Sequence, residues 1–193
     1  MASRLSRVPL FLLMSAPTAD VSTRLCTACG LCCDGTLFQI VRVLPEDSPA
    51  RLLALGLKLR RKNGAPYFEQ PCSALRDRCC TAYADRPARC RAFTCRQLAQ
   101  VQAGLLAEGD ALSLIHSTHG LAQHLRGLLE ACWQPDDGSA LQDQCERVLA
   151  LRLDPALEPE AVAARQQVAQ SLRELRRVLT ESFLPADHPA AGA

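Results

Sequence analysis

The eight residues CTACGLCC, Cys26 to Cys33, crowd four thiols into one short stretch and leave few options for what surrounds them. Cys32 and Cys33 are adjacent, and neighbouring cysteines cannot reach relaxed disulfide geometry with each other. The chain carries eleven cysteines, at 26, 29, 32, 33, 72, 79, 80, 90, 95, 132 and 145, and nine of them precede residue 96. The odd total, the second adjacent pair Cys79–Cys80 and the CxxC spacing all argue against a disulfide framework. In a reducing compartment such clusters bind metal or do redox chemistry. The pattern therefore predicts a cytoplasmic metal-binding protein.

Spacing narrows the ligand chemistry without choosing a metal. Zinc takes four thiolates in a tetrahedron, whereas a 4Fe–4S cluster takes CxxCxxC on three irons and a distant cysteine on the fourth. Gly30 supplies the backbone freedom that such a tight turn needs. A ferredoxin proper is disfavoured, because no second CxxCxxCxxxCP run exists and Cys72 follows Pro71 rather than preceding a proline.

The remaining totals mostly exclude. Twenty-two basic and twenty acidic residues leave a formal charge of +2, so no overall field recruits nucleic acid or acidic lipid. No run approaches the ~18 apolar residues of a membrane span. The N-terminus mimics a signal peptide, with two arginines before Val8–Met14, but that run is short and holds Pro9. Over a signal peptide, the preferred reading is a disordered lead across residues 1–22 with Met14 as the true start. Neither a P-loop, a GxGxxG, an HExxH nor a nucleophile elbow is present, so binding is expected over catalysis.

Along the chain, the pattern predicts an α-rich α+β protein: a small, irregular cysteine-rich module with short strands over 23–98, a helical lobe over 99–184, and a disordered tail over 185–193. Alternation predicts a strand over Thr36–Leu44. The acid-to-base run EDSPARLLALGLKLRRK predicts a helix with Leu52, Leu55 and Leu59 on one face. Asn63-Gly64 is a turn, and APYFEQPC returns as a strand delivering Cys72 to the first cysteine group, so that the cysteines come from loops. In the lobe, Leu98, Val101 and Leu105 form one helical stripe; Leu112, Ile115, Ala122, Leu125 and Leu129 form the next. Ser139 is a plausible N-cap for a helix carrying Leu141, Cys145 and Val148, which Pro155 ends. Pro159 opens a last helix with Val168, Leu172, Leu175 and Leu179 on its apolar face.

The second cysteine group reads PCSALRDRCCTAYADRPARCRAFTC. Joined to the CxxCGxCC opening, its C-x2-Y-x2-RP-x2-CR-x-F-x-C pattern resembles the YkgJ-like cysteine cluster family, whose shared domain is described as chelating zinc or iron. Similar cysteines occur in the larger flagellin lysine N-methylases. The resemblance covers about residues 24 to 98. It implies a metal ligand set of Cys26, Cys29, Cys32, Cys33, Cys72, Cys80, Cys90 and Cys95, with Tyr83, Arg86, Pro87, Arg91 and Phe93 at matching spacing. Cys79 departs from the pattern and leaves open which cysteine of its pair faces the metal.

Six arginines between Arg76 and Arg96 can offset thiolate charge, Arg86 and Arg91 first among them. The implied cofactor is zinc or iron, with a 4Fe–4S cluster as one form. Buried free thiols are expected at Cys132 and Cys145, packing at His119 with His116 beside it, and helix-boundary charges at Glu108 and Asp110. Two alternatives from other classes stand beside metal binding. One is a protein-modifying, methyltransferase-like enzyme related to the flagellin methylases. The other is a zinc-ribbon-like nucleic-acid binder using Lys58, Arg60, Arg61 and Lys62, although nucleic acid is not the expected partner. The lobe offers a docking face for a protein partner, and its stripes are equally explained as core.

Overall fold

The structure is a computed structural model, and it describes residues 20–132, 138–154, 156 and 158–186. The predicted lead up to residue 19, the tail from residue 187, Pro155 and the Cys132 side chain lie outside the described residues. Helices dominate, with a few short strands, so the α-rich α+β expectation agrees with the fold.

The chain enters through helix α1, Val21–Cys29, which therefore begins within the stretch assigned to the lead. It stops because Gly30 turns left-handed at φ 68°, and the Gly30 N–H caps the Cys26 carbonyl. Two N–H groups, of Cys33 and Asp34, then return to the Gly30 carbonyl at 2.8 and 3.0 Å and curl the chain into a tight turn. Cys26 and Cys29 thus sit one turn apart on a helix, where loops were expected, and Cys32 and Cys33 follow in the turn.

The expected strand over Thr36–Leu44 shrinks to β1, Ile40–Arg42. Its first residues are captured by the turn instead: Thr36 N–H donates to the Asp34 carboxylate and Leu37 N–H to the Leu31 carbonyl. The long helix predicted next is also shorter. Helix α2 covers Pro49–Ala54, capped by Ser48, and ends where Gly56 takes φ 83°. Leu59 belongs to β2, Leu59–Lys62, rather than to the helix. Asn63 and Gly64, both at positive φ, form the two-residue turn into β3, Ala65–Glu69. The antiparallel order is β1-β3-β2, with Val41 opposite Phe68 and both buried. After this sheet the chain forms an antiparallel hairpin of β4, Leu75–Arg76, and β5, Cys79–Cys80, followed by helix α3, Ala88–Ala92.

The helical part comprises α4, Arg96–Gln102; α5, Glu108–Cys132; α6, Leu141–Leu149; and α7, Pro159–Val178. A single π-helical turn, Leu179–Phe183, extends α7. Most predicted stripes are core: Ile115, Ala122, Leu125, Leu129, Val168, Leu172, Leu175 and Leu179 are all buried. Leu112 and Leu105 are exceptions. Leu105 lies beyond the end of α4 and is 79% exposed. Ala140 rather than Ser139 is the residue before α6; the Ser139 hydroxyl instead accepts from Arg147. Helix α6 also ends at Leu149, well before Pro155.

The apolar interior divides in two. The larger cluster joins Leu25, Leu31 and Leu37 of the first cysteine segment to the faces of α4 to α7. The smaller one packs Val41, Val43, Leu52, Leu57, Phe68, Ala74 and Ala82 around the three-stranded sheet. Ties from the helices hold the first cysteine turn in place. Arg24 makes two 2.7 Å bonds to Glu108 at the start of α5, and Gln142 donates to the Thr36 carbonyl at 3.1 Å. Gly35 has φ 81° and approaches so closely that a Cβ there would meet the Ala140 Cα at 2.9 Å.

Candidate metal centre

Eight cysteines converge on one cavity of about 760 Å³ between the two apolar clusters: Cys26, Cys29, Cys32, Cys33, Cys72, Cys80, Cys90 and Cys95. They arrive on several kinds of support. Helix α1 carries Cys26 and Cys29, and the turn after it carries Cys32 and Cys33. Cys72 follows β3, with its N–H donating to the Cys33 carbonyl at 2.7 Å. Cys80 lies on β5, Cys90 on α3, and Cys95 caps α4 by accepting the Leu98 N–H on its sulfur at 3.4 Å. All eight are half-buried. Cys79 is exposed, because consecutive residues of a strand point to opposite faces, and it does not line the cavity.

Electrostatic influence and packing together group the eight into two sets that touch at Cys32 and Cys33. Burial pushes the Cys32 thiol up strongly, and Cys29, Cys33, Cys95 and Cys26 add to it. Burial lifts Cys29 to about 12; the Leu31 N–H opposes this, while Cys95 and Cys26 reinforce it. Cys26 is raised by burial and then by Cys95. For Cys33 the neighbours reinforcing burial are instead Cys72, Cys90 and Cys80. Cys90 rises to about 12 through burial, Cys72 and Cys80, and Cys72 is raised by burial and by Cys80. One quartet is Cys26, Cys29, Cys32 and Cys95, beside the larger core; the other is Cys33, Cys72, Cys80 and Cys90, with Cys72, Cys80 and Cys90 packed on the smaller one. The two sets meet at adjacent residues, Cys32 and Cys33, and Cys33 also raises Cys32.

Donor chemistry fits a thiophilic metal. Thiols that share a cavity repel one another once ionised, and a cation among them offsets that repulsion. Among the described residues, no three histidine, cysteine, aspartate or glutamate side chains are already drawn together as a finished metal site. The thiols are gathered around the cavity but not closed onto a centre.

The arginines are not placed as the sequence ranks them. Arg86 lines the cavity, with its guanidinium carbon 3.7 Å from the Tyr83 ring centroid and its Nε donating to the Tyr83 carbonyl. Arg91 is exposed, bonds to the Arg86 carbonyl and does not line the cavity. Arg42, Arg78 and Arg89 do line it. Arg42 lies far from the second cysteine group in sequence, and only the pairing of β1 with β3 brings it near.

The weaker candidates resolve individually. Buried His119 bonds through Nε2 to the Cys29 carbonyl at 2.6 Å, so it packs and braces α1, while His116 is exposed. Cys145 is fully buried among apolar side chains of α6 and α7. Glu108 is a helix-start charge paired with Arg24. Arg60 of the basic run is paired with Glu69. No described helix is long and apolar enough to cross a membrane.

No curated protein and no solved structure matches the chain significantly. Residues 25–107, the segment that gathers all eight thiols and ends one residue before α5, match the CxxCxxCC family model, described as a "Putative zinc- or iron-chelating domain".

Proposed function

We propose that this protein binds two metal ions, zinc or iron, each held by four thiolates. The ligands of one site are Cys26, Cys29, Cys32 and Cys95, and those of the other are Cys33, Cys72, Cys80 and Cys90. The carrying observation is the convergence of eight thiols on one cavity between two apolar cores, with Cys26, Cys29, Cys32 and Cys95 packed against one core and Cys72, Cys80 and Cys90 against the other. The kinship of residues 25–107 to a zinc- or iron-chelating domain supports the same reading. A bound ion supplies a positive centre that exchanges for thiol protons. The chain supplies the rest: α1, Cys32 of its turn and the cap of α4 hold one set of sulfurs, while Cys33 of that turn, Cys72 after β3, the β4–β5 hairpin and α3 hold the other. The sites join segments that lie in two separate cores, which makes a structural role the primary one. The ten cysteines with described side chains are all free, which suits a reducing compartment such as the cytoplasm.

Anaerobic purification, metal analysis, sulfide analysis and an absorbance spectrum test this reading. The expected result is about two ions per chain without sulfide. Iron with stoichiometric sulfide and a broad visible band would replace single ions by an iron–sulfur cluster. A folded, reduced protein that takes up no zinc or iron would overturn the reading.

A further inference from the structure

We propose that Arg86 is a counter-cation shared by both thiol quartets, held against Tyr83 so that one guanidinium serves two metal sites. The proposal rests on the two-site reading above. Arg86 lines the cavity that all eight cysteines line, at the end of the 3-10 turn Tyr83–Asp85 and just before the helix that carries Cys90. Its Nε is spent on the Tyr83 carbonyl at 3.0 Å, and one face covers the Tyr83 ring at 3.7 Å. That grip fixes the plane of the group and leaves its two terminal amino groups, with four N–H donors, for other acceptors. Among the described residues no carboxylate lies within ion-pair distance of Arg86, whereas Arg24, Arg51 and Arg176 each have one.

Both sets stand on the wall of that one cavity: Cys26, Cys29, Cys32 and Cys95 pack against the larger core, and Cys72, Cys80 and Cys90, with Cys33 beside them, against the smaller. Arg86 shares this wall with both sets, whereas Arg76 and Arg91 lie off it. Four thiolates around a divalent ion keep two negative charges, so each loaded site gains from a nearby guanidinium. Lysine would keep the charge but lose the planar fork and the stack.

The test is a zinc titration of reduced, metal-free protein against a chromogenic chelator, in two backgrounds. Cys33→Ser leaves the first quartet whole, and Cys26→Ser leaves the second whole. Adding Arg86→Gln is expected to weaken zinc binding about tenfold in both backgrounds. Arg86→Lys is expected to lose a few-fold in both, and it carries the test if the glutamine form does not fold by circular dichroism. A loss confined to one background, or none in either, would overturn the sharing while leaving two sites standing. Failure of both backgrounds to bind zinc with Arg86 intact would instead sink the two-site reading, and the sharing with it.

Discussion

The backbone N–H of Cys72 donates to the carbonyl of Cys33 at 2.7 Å, joining the two halves of the cysteine pattern through their main chains. The bond places Cys72 beside the last cysteine of CTACGLCC, and Cys33 responds electrostatically to Cys72 before Cys90 and Cys80. Cys32, one residue earlier, packs against the larger core and is raised by Cys29, Cys33, Cys95 and Cys26. The doubled cysteine thus lies where two groups of sulfurs meet.

That division predicts selective metal loss. Replacing Cys95 with serine is expected to remove about one ion per chain, as is replacing Cys90, and the double variant to remove both. Metal-to-protein ratios from elemental analysis decide this. Loss of all metal in either single variant would mean one shared centre.

Cys79 and Cys80 are expected to behave oppositely despite being neighbours. Cys80→Ser should lower metal content, whereas Cys79→Ser should leave it unchanged, because Cys79 is exposed and lies off the cavity. An alkylating reagent applied to the metal-loaded protein should modify Cys79 first, which peptide mass mapping would read.

The raised thiols set the pH behaviour of the metal-free protein. Cys29 and Cys90 titrate at about 12 when folded, against an ordinary value of 9.0, so the unfolded chain ionises first. Stability from these groups is full below about pH 9 and falls as pH rises toward the folded values. Urea denaturation of reduced, metal-free protein at about pH 8 and about pH 10 should therefore show a lower midpoint at the higher pH. Near neutral pH the same protonation means that each ion displaces about four protons, measurable with an indicator dye in weak buffer.

Gly35 is a position that alanine should not fill. With φ 81° and only 2.9 Å between a new Cβ and the Ala140 Cα, Gly35→Ala is expected to cost about 2 kcal/mol. A fall in Tm would report it, and the loss should persist with metal present.

Leu125 tests the helical core apart from the metal. It is fully buried in the larger cluster, and Leu125→Ala is expected to cost about 3 kcal/mol in denaturant unfolding. Metal stoichiometry of the folded fraction should be unchanged.

Much of the architecture is legible along the chain where periodicity and punctuation agree. Pro159 opens α7 and Val168, Leu172, Leu175 and Leu179 bury as its pattern predicts, since a long helix repeats its signal several times. The Asn63-Gly64 turn is similarly plain, because few other dipeptides take two positive φ angles so readily. The run from Glu46 to Lys62 misleads because its leucines fit helical spacing, while Gly56 and the pairing of Leu59 with Phe68 decide otherwise. Thr36 and Leu37 likewise read as strand, but the Asp34 carboxylate and the Leu31 carbonyl claim their N–H groups.

For the candidate site, the sequence by itself determined which residue types are available: eight patterned thiols, too crowded for disulfides, with arginines interspersed. Only the tertiary structure decided how they divide, that Arg42 joins Arg86 at the cavity, and that Arg91 stands outside it. The reason is physical. Spacing fixes which sulfurs can be near one another along a turn, but the partners of Cys33 and Cys95 come from distant segments, and packing of two separate cores sets those distances.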